Sequence, residues 1–307
     1  MPDGSLPPFP LTQSGRSFTP EELELICSTV TNCDGLTRHE LAWTLCELLD
    51  WTTATGRPKL DACRKLLAKL ESQGRLCQPT KRGYKKCAGG EDRRVYSPET
   101  QPDLEWRGRL GDLGTVELEI VRSRSQTRLW NEYVDRYHYL GYRRPFGCPL
   151  RYFVRCERGL LGCVLLAGAA KAVAVRDRWI GWNENERLQA LAWVVNNTRF
   201  LILPWIRIEH LASHVLGQVR RRLREDWQQQ WGYRPVLLET FVDPQRFDGT
   251  CYRAAGWIEL GLTSGEGLAR PGRRYTSTPK KIFVRPLVDD FRAQLCGGVL
   301  EGGRFHE

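Results

Sequence analysis

Three consecutive segments decide the fold class: Thr198-Arg199-Phe200-Leu201-Ile202-Leu203, then Leu211 through Trp231, then Val236-Leu237-Leu238-Glu239-Thr240-Phe241-Val242. The outer two are short apolar runs with the length and residue types of strands, and the middle one has the length and periodicity of a helix. The outer face of that helix carries Arg220, Arg221, Arg222 and Arg224. A strand, a long helix and a second strand in this order predict an α/β layer. Upstream, Val116 to Val121 alternates as a strand, and Arg128 to Tyr139 reads as a helix with Leu129, Tyr133 and Tyr137 on one stripe. Leu150 to Cys156 and Leu160 to Ala167 read as a hairpin turned at Glu157-Arg158-Gly159, and Glu184 to Val195 as an amphipathic helix. Downstream, Thr250 to Ala255 predicts a short helix and Trp257 to Leu260 a closing strand.

The N-terminal part is punctuated as helices. Thr19-Pro20-Glu21-Glu22 supplies a hydroxyl cap, a proline at the first helical position and a glutamate three residues on, which opens a helix through about Val30. Thr37-Arg38-His39-Glu40 repeats the device ahead of Leu41, Leu45 and Leu48. Leu60 to Gln73 turns Cys63, Leu66, Leu67 and Leu70 inward and Arg64, Lys65 and Lys69 outward, and ends at Gly74. Arg75 to Pro79, followed by Lys81, Arg82, Lys85 and Lys86, reads as a short strand and a basic wing. Three helices and a wing predict a winged helix-turn-helix, with the third helix as the recognition element. The same unit also serves elsewhere as an interaction or dimerisation module.

The expected architecture is therefore mixed, α+β: a disordered tail over 1–18, a winged-helix-like DNA-binding domain over 19–86, a linker over 87–114, an α/β domain over 115–290 and a C-terminal tail over 291–307. The linker rests on a polar run rich in Gly and Pro. No internal repeat is visible, which excludes a solenoid.

Charge sharpens the reading. The 307 residues carry 46 basic and 36 acidic side chains, a net +10, but unevenly. Residues 1–56 hold two basic against eight acidic residues, net −6, while 57–94 hold twelve against four, net +8. That second block suits contact with phosphates, or else is a solvated charge run. The longest apolar runs, 160–170 and 200–206, are shorter than the roughly 18 residues of a bilayer span, and the start has no secretion-signal pattern, so the expectation is a cytoplasmic protein without membrane contact. Eleven cysteines, none spaced C-x-x-C, read as buried thiols rather than zinc ligands.

The order of elements from Arg128 onward resembles the GNAT acyltransferase fold, most closely over Thr198 to Gly261, where Cys251-Tyr252-Arg253-Ala254-Ala255-Gly256-Trp257 is similar to a Tyr-x-x-x-Gly-Phe segment of such enzymes. That resemblance implies coenzyme A held at the start of the long helix on an Arg/Gln-x-x-Gly-x-Gly/Ala loop. Here the stretch is Arg207-Ile208-Glu209-His210-Leu211-Ala212, and His210 in place of the glycine together with Glu209 argues against coenzyme A. The chain as a whole resembles the DruA family of the Druantia anti-phage defence systems, whose domain also occurs in proteins of mobile elements. The resemblance is carried by Tyr137-His138-Tyr139-Leu140-Gly141, Arg176-Asp177-Arg178-Trp179-Ile180-Gly181-Trp182, Asn196 to Pro204, Leu211-Ala212-Ser213, Leu238 to Asp243 and Gly249 to Ala255, with Gly35 to Ala42 and Gly56 to Arg64 in the helical part. It implies a role in phage defence or on mobile DNA, and a helicase or nuclease of the same system as partner; it carries no catalytic residues over.

Candidate residues follow from their chemistry. Asp177, Glu239 and Asp243 are a possible Mg²⁺ set for phosphodiester chemistry, since hard cations take carboxylate oxygens and Glu239 and Asp243 share a strand face. The alternative is that Glu239 is a buried partner of an arginine such as Arg199 and that Asp243 caps the Pro244 turn. His210 and His214 share a helical face without an evident third ligand, and Tyr137, Tyr139 and Tyr252 are nucleophile types that more often pack in a core. DNA contact is expected from Arg57, Lys59, Arg64, Lys65, Lys69, Lys81 and Arg82 in the first domain. In the second it is expected from Arg176, Arg178, Trp179, Trp182 and Arg199, which with Arg143, Arg144 and Arg187 put guanidinium groups beside flat rings and suit stacking on bases, and from Arg273, Arg274, Lys280 and Lys281. The leading expectation is a DNA-binding protein; the alternatives are a metal-dependent, transposase-like strand-processing enzyme and a GNAT-type acyltransferase.

Overall fold

A computed structural model describes residues 11–53, 56–79, 96–265 and 278–302. The chain begins with a hairpin, β1 (Leu11–Gln13) and β2 (Arg16–Phe18), so residues 11–18 are not a disordered tail. Phe18 is buried edge-on to Trp51 at 5.1 Å, and Arg16 donates to Leu49 O and pairs with Glu22. Helices α1 (Pro20–Asn32) and α2 (Arg38–Leu48) start where their capping boxes predict, at Thr19/Glu22 and Thr37/Glu40, each satisfying otherwise orphaned backbone donors. Helix α3 (Leu60–Ser72) buries Cys63, Leu66, Leu67 and Leu70. Residues 75–79 form no strand, and the expected wing residues Lys81, Arg82, Lys85 and Lys86 lie outside the described residues.

The α/β part is built on seven strands: β4 (Glu117–Ile120), β5 (Leu150–Cys156), β6 (Gly159–Gly168), β7 (Val194–Ile202), β9 (Leu237–Val242), β10 (Ile258–Leu262) and β11 (Lys281–Pro286). Their spatial order is β10-β11-β9-β7-β6-β5-β4, antiparallel throughout except for β7 against β9. Helix α7 (Leu211–Trp231) makes the crossover between those two strands. Successive side chains on a strand face opposite ways, and β5 shows what each face meets. The Tyr152 hydroxyl donates to Asp226 of α7 at 2.8 Å, while Phe153 lies opposite Cys163 on the face covered by α4 (Arg124–Tyr137).

The described parts of the segments expected to be linker and tail, 96–114 and 291–302, are also folded, because each has an apolar or hydrogen-bonding partner on the sheet domain. Thr100, fully buried, donates to Glu132, and its carbonyl accepts from the Tyr137 hydroxyl at 2.6 Å. Strand β3 (Trp106–Gly108) runs parallel to β8 (Ile206–Ile208). At the C-terminal end α9 (Phe291–Leu295) buries Phe291, whose ring stacks on Trp179.

The N-terminal helices share one hydrophobic core with the sheet domain. Gly147 N donates to Thr44 Oγ1 at 3.0 Å, Cys33 and Cys148 bring their sulfurs to 3.0 Å, and Gln189 of α6 (Glu184–Ala190) donates to Glu24. Gly35 lies so close to Trp231 that a Cβ there would sit 2.8 Å from the indole. No described helix is long and apolar enough to cross a membrane.

Candidate functional site

The three carboxylates expected to share a metal fall in two places. Glu239 is fully buried on β9, and both of its oxygens are taken: Oε2 accepts from Arg176 Nη1 at 2.7 Å and Oε1 from Ala170 N at 2.8 Å. Asp177, on α5 (Ala174–Ile180), accepts from Arg176 twice, from the Trp182 indole and from Val173 N. Asp243 sits beyond the end of β9, accepting from Gln245 N with Arg246 4.0 Å away. A pair of carboxylates neutralised by one buried guanidinium is a poor site for Mg²⁺, because the cation would meet a fixed positive charge, and no group of three or more His, Cys, Asp or Glu among the described residues fits a metal ion. Arg176 and Trp182 are themselves core residues, with the guanidinium over the indole at 5.5 Å, so neither is placed to touch DNA. Burial opposes the Arg176 charge, but Glu239 and Asp177 outweigh it and hold the guanidinium protonated.

A cleft at the end of the sheet comes from the parallel pair. β7 and β9 are in register only through Val194/Leu237, Val195/Leu238 and Asn196/Glu239, although β7 continues to Ile202 and β9 to Val242. The cause on the β7 side is a bulge. Leu165 opposes Arg199 and Leu166 opposes Asn197, so Thr198 is an extra residue that bends the strand. Between the separated ends lies a cleft of about 590 Å³.

Its floor is held by a polar network. The Tyr252 hydroxyl of α8 (Thr250–Ala254) donates to Asn197 Oδ1 at 2.9 Å, Asn197 Nδ2 donates to the carbonyls of Leu165 and Arg199, and Thr240 Oγ1 donates to Asn197 O. Burial pushes the Tyr252 phenol well above its ordinary range, so it is a proton-bearing donor. Thr198 Oγ1 is buried in the bulge with no hydrogen-bond partner among the described residues. At the rim His138 stacks on Tyr139 at 4.9 Å, Tyr139 meets Phe247 at 5.5 Å, and the Arg246 guanidinium lies 5.2 Å over Tyr139. Burial, then the charge of Arg199, lowers His138 to about 4 and leaves its imidazole neutral at neutral pH.

A band of positive charge leads to that rim. Arg64, Lys65 and Lys69 are exposed on α3, Arg57 is exposed ahead of it and Lys59 is half-buried. His39 lies beside this face; burial, then Arg144 and Arg64, holds its imidazole below the ordinary value, so both guanidinium groups act on one ring. Arg144 and Arg143 are exposed on the loop after α4, and Arg143 in turn acts on Arg199, which donates to Gly141 O at 2.9 Å. The other expected contacts are dispersed. Arg178 is exposed, Trp179 packs against both Phe291 and the Arg292 guanidinium, and Lys281 donates to Asp248 O beside the cleft while Lys280 flanks it. Arg273 and Arg274 lie outside the described residues. Sequence reading grouped Arg143 and Arg144 with the arginines suited to nucleic-acid contact but did not place them beside the helical unit, and it passed over Phe247, because nothing local marks a ring as exposed.

The start of α7 departs from a coenzyme A site in two side chains. His210 adopts φ +61°, the left-handed conformation that glycine favours, so the backbone turn is kept while the side chain is not. The Glu209 carboxylate adjoins it, reaching toward Arg109 at 3.9 Å. A negative side chain at this helix start opposes a pyrophosphate, and the residues present do not fit that group.

The strand order, the single parallel pair with separated ends and the long helix between them define a mixed α/β protein with a GNAT-like sheet domain. The chain belongs to the family of the Druantia protein DruA, whose family model matches residues 75–271. Among solved structures it is similar to the aminoglycoside acetyltransferase AAC(6')-Ib in complex with coenzyme A and kanamycin, at 13% identity over 56% of this chain and 95% of that one, TM-score 0.36. It is also similar to an N-acetyltransferase from Staphylococcus aureus Mu50, at 8% identity over 57% and 100%, TM-score 0.34. A third is FeeM, an N-acyl amino acid synthase from uncultured soil microbes, at 14% identity over 59% and 94%, TM-score 0.33. Likenesses this low bear on neither substrate nor cofactor. No curated protein matches the chain.

Proposed function

We propose that this DruA-family chain is a DNA-binding protein of a phage-defence or mobile-element system, acting in the cytoplasm and able to recruit a helicase or nuclease of the same system. One observation carries the reading: the exposed basic face of α3 continues through His39, Arg144 and Arg143 to the rim of the β7/β9 cleft. Phosphates bound along such a band release counterions, so affinity rests on Arg and Lys and falls steeply with salt. Because α1 to α3 and the sheet domain share a core, the band is a rigid surface that needs no ordering on binding. The metal-dependent strand-processing reading loses its support here, since Arg176 occupies two of its three carboxylates.

The test is fluorescence anisotropy with labelled single- and double-stranded oligonucleotides across a salt series. The expected result is binding whose logarithm falls linearly with that of salt concentration, and an Arg64→Glu/Lys65→Glu/Lys69→Glu variant at least ten-fold weaker with a shallower slope. Absence of binding at low salt, or a triple variant that binds as the parent does, sinks the proposal.

A further inference from the structure

Resting on that reading, we infer that the cleft between the separated ends of β7 and β9 receives one unstacked nucleobase of the bound strand, laid against Tyr139 and Phe247. Two exposed rings in contact form a patch rather than scattered apolar residues: Phe247 is 54% exposed and Tyr139 36% exposed, side by side on the rim. A base has a flat π-face that stacks on such rings whatever its sequence, and Arg246 over Tyr139 adds a cation to the same platform.

Volume and polarity inside the cleft suit the same occupant. About 590 Å³ falls within the roughly 300–1,000 Å³ of small-molecule sites. Past Asn196 and Glu239 the two strands no longer pair with one another, so their edges offer backbone donors and acceptors to a planar polar edge. Thr198 lines the cleft at the bulge and its buried Oγ1 has no hydrogen-bond partner among the described residues, whereas Asn197 is saturated by its own network.

Charge decides between a base and a phosphate. The rim carries Arg143, Arg199 and Arg246, but also Asp243 and Asp248, and the His138 imidazole beside them is neutral. Apart from Arg246 on the rim, the residues lining the cleft include no cation to receive a phosphate, so a neutral base enters and leaves its phosphates to the arginines outside. The desolvated, uncharged interior thus takes the part of a nucleotide that costs least to bury.

The experiment places 2-aminopurine as the unpaired residue in a single strand and in a one-base bulge of a duplex, and reads its fluorescence and the anisotropy of a distal label in one titration of the full chain. The parent protein should change the 2-aminopurine signal on binding. Phe247→Ala, exposed and therefore folded as judged by its thermal melt, should abolish that change and weaken single-strand binding by about five-fold or more. Tyr139→Leu should behave alike, and Thr198→Val should alter the preference among the four bases at that position without loss of the charge-driven binding. If anisotropy shows salt-dependent binding while 2-aminopurine stays unchanged and Phe247→Ala binds normally, the base site is overturned and the DNA reading stands. If anisotropy shows no binding at all, both are overturned.

Discussion

Glu239 illustrates how one side chain's role follows from its neighbours. A carboxylate at the end of a parallel strand is where ligand groups gather in α/β sheets, but this one is fully buried and hydrogen-bonded to Arg176 at 2.7 Å. Removing it leaves a buried guanidinium short of its counter-charge, so Glu239→Ala should cost about 3–5 kcal/mol of stability, read from urea unfolding. A variant as stable as the parent would show that the pair is not closed as described. His138 makes a second prediction. Its folded value of about 4 lies below the ordinary 6.5, so between those values the unfolded chain holds the extra proton. Stability from this group is therefore full above pH 6.5 and is lost as pH falls toward 4, and His138→Gln should lose less between pH 7.5 and 5.0, measured as the shift in unfolding midpoint. The partnership of Glu239 with an arginine was legible as one of two readings; that the arginine is Arg176 rather than Arg199 was not, because the pair is separated by 63 positions in sequence.

At the scale of elements, local rules performed well where the signal is local. Both capping boxes form, and Thr37→Ala should cost about 0.5–2 kcal/mol, seen as a lowered thermal midpoint. The β6/β7 pairing makes a sharper demand. A Cβ at Gly162 would lie 2.2 Å from the Leu201 carbonyl oxygen, a backbone atom that cannot swing aside. Gly162→Ala should therefore push β7 away and cost about 1–3 kcal/mol, with changed hydrogen exchange along Leu201 and Ile202 as the readout. The residue next in the same strand pair, Thr198, shows the limit of sequence reading: a strand was expected over 198–203, yet β7 starts at Val194, and the bulge that opens the cleft is set by its register on β6.

For the molecule as a whole the decisive fact is the shared core. A reader domain tethered by a linker would unfold on its own, but α1 and α2 pack on the sheet domain through Cys33, Thr44 and Gly35. Native-state hydrogen exchange should accordingly give α2 amides the same opening free energy as those of β7, whereas a separately unfolding helical unit would exchange α2 first. The same docking sets Arg144 beside the α3 face and turns two patches of charge into one band. The proposed DNA surface thus belongs to neither half alone.

By itself the sequence determined what short-range physics determines: helix starts from capping boxes, strands from apolar runs, an α/β layer from strand, long helix and strand, and a basic second block at 57–94. It also carried the family, through segments such as Asn196 to Pro204. Tertiary structure decided which arginine Glu239 meets, that Trp182 and Arg176 are core while Phe247 is exposed, and that the two strand ends separate into a cleft. The reason is that exposure, register and charge pairing depend on side chains brought together from distant positions, and periodicity along the chain says which face is buried without saying against what.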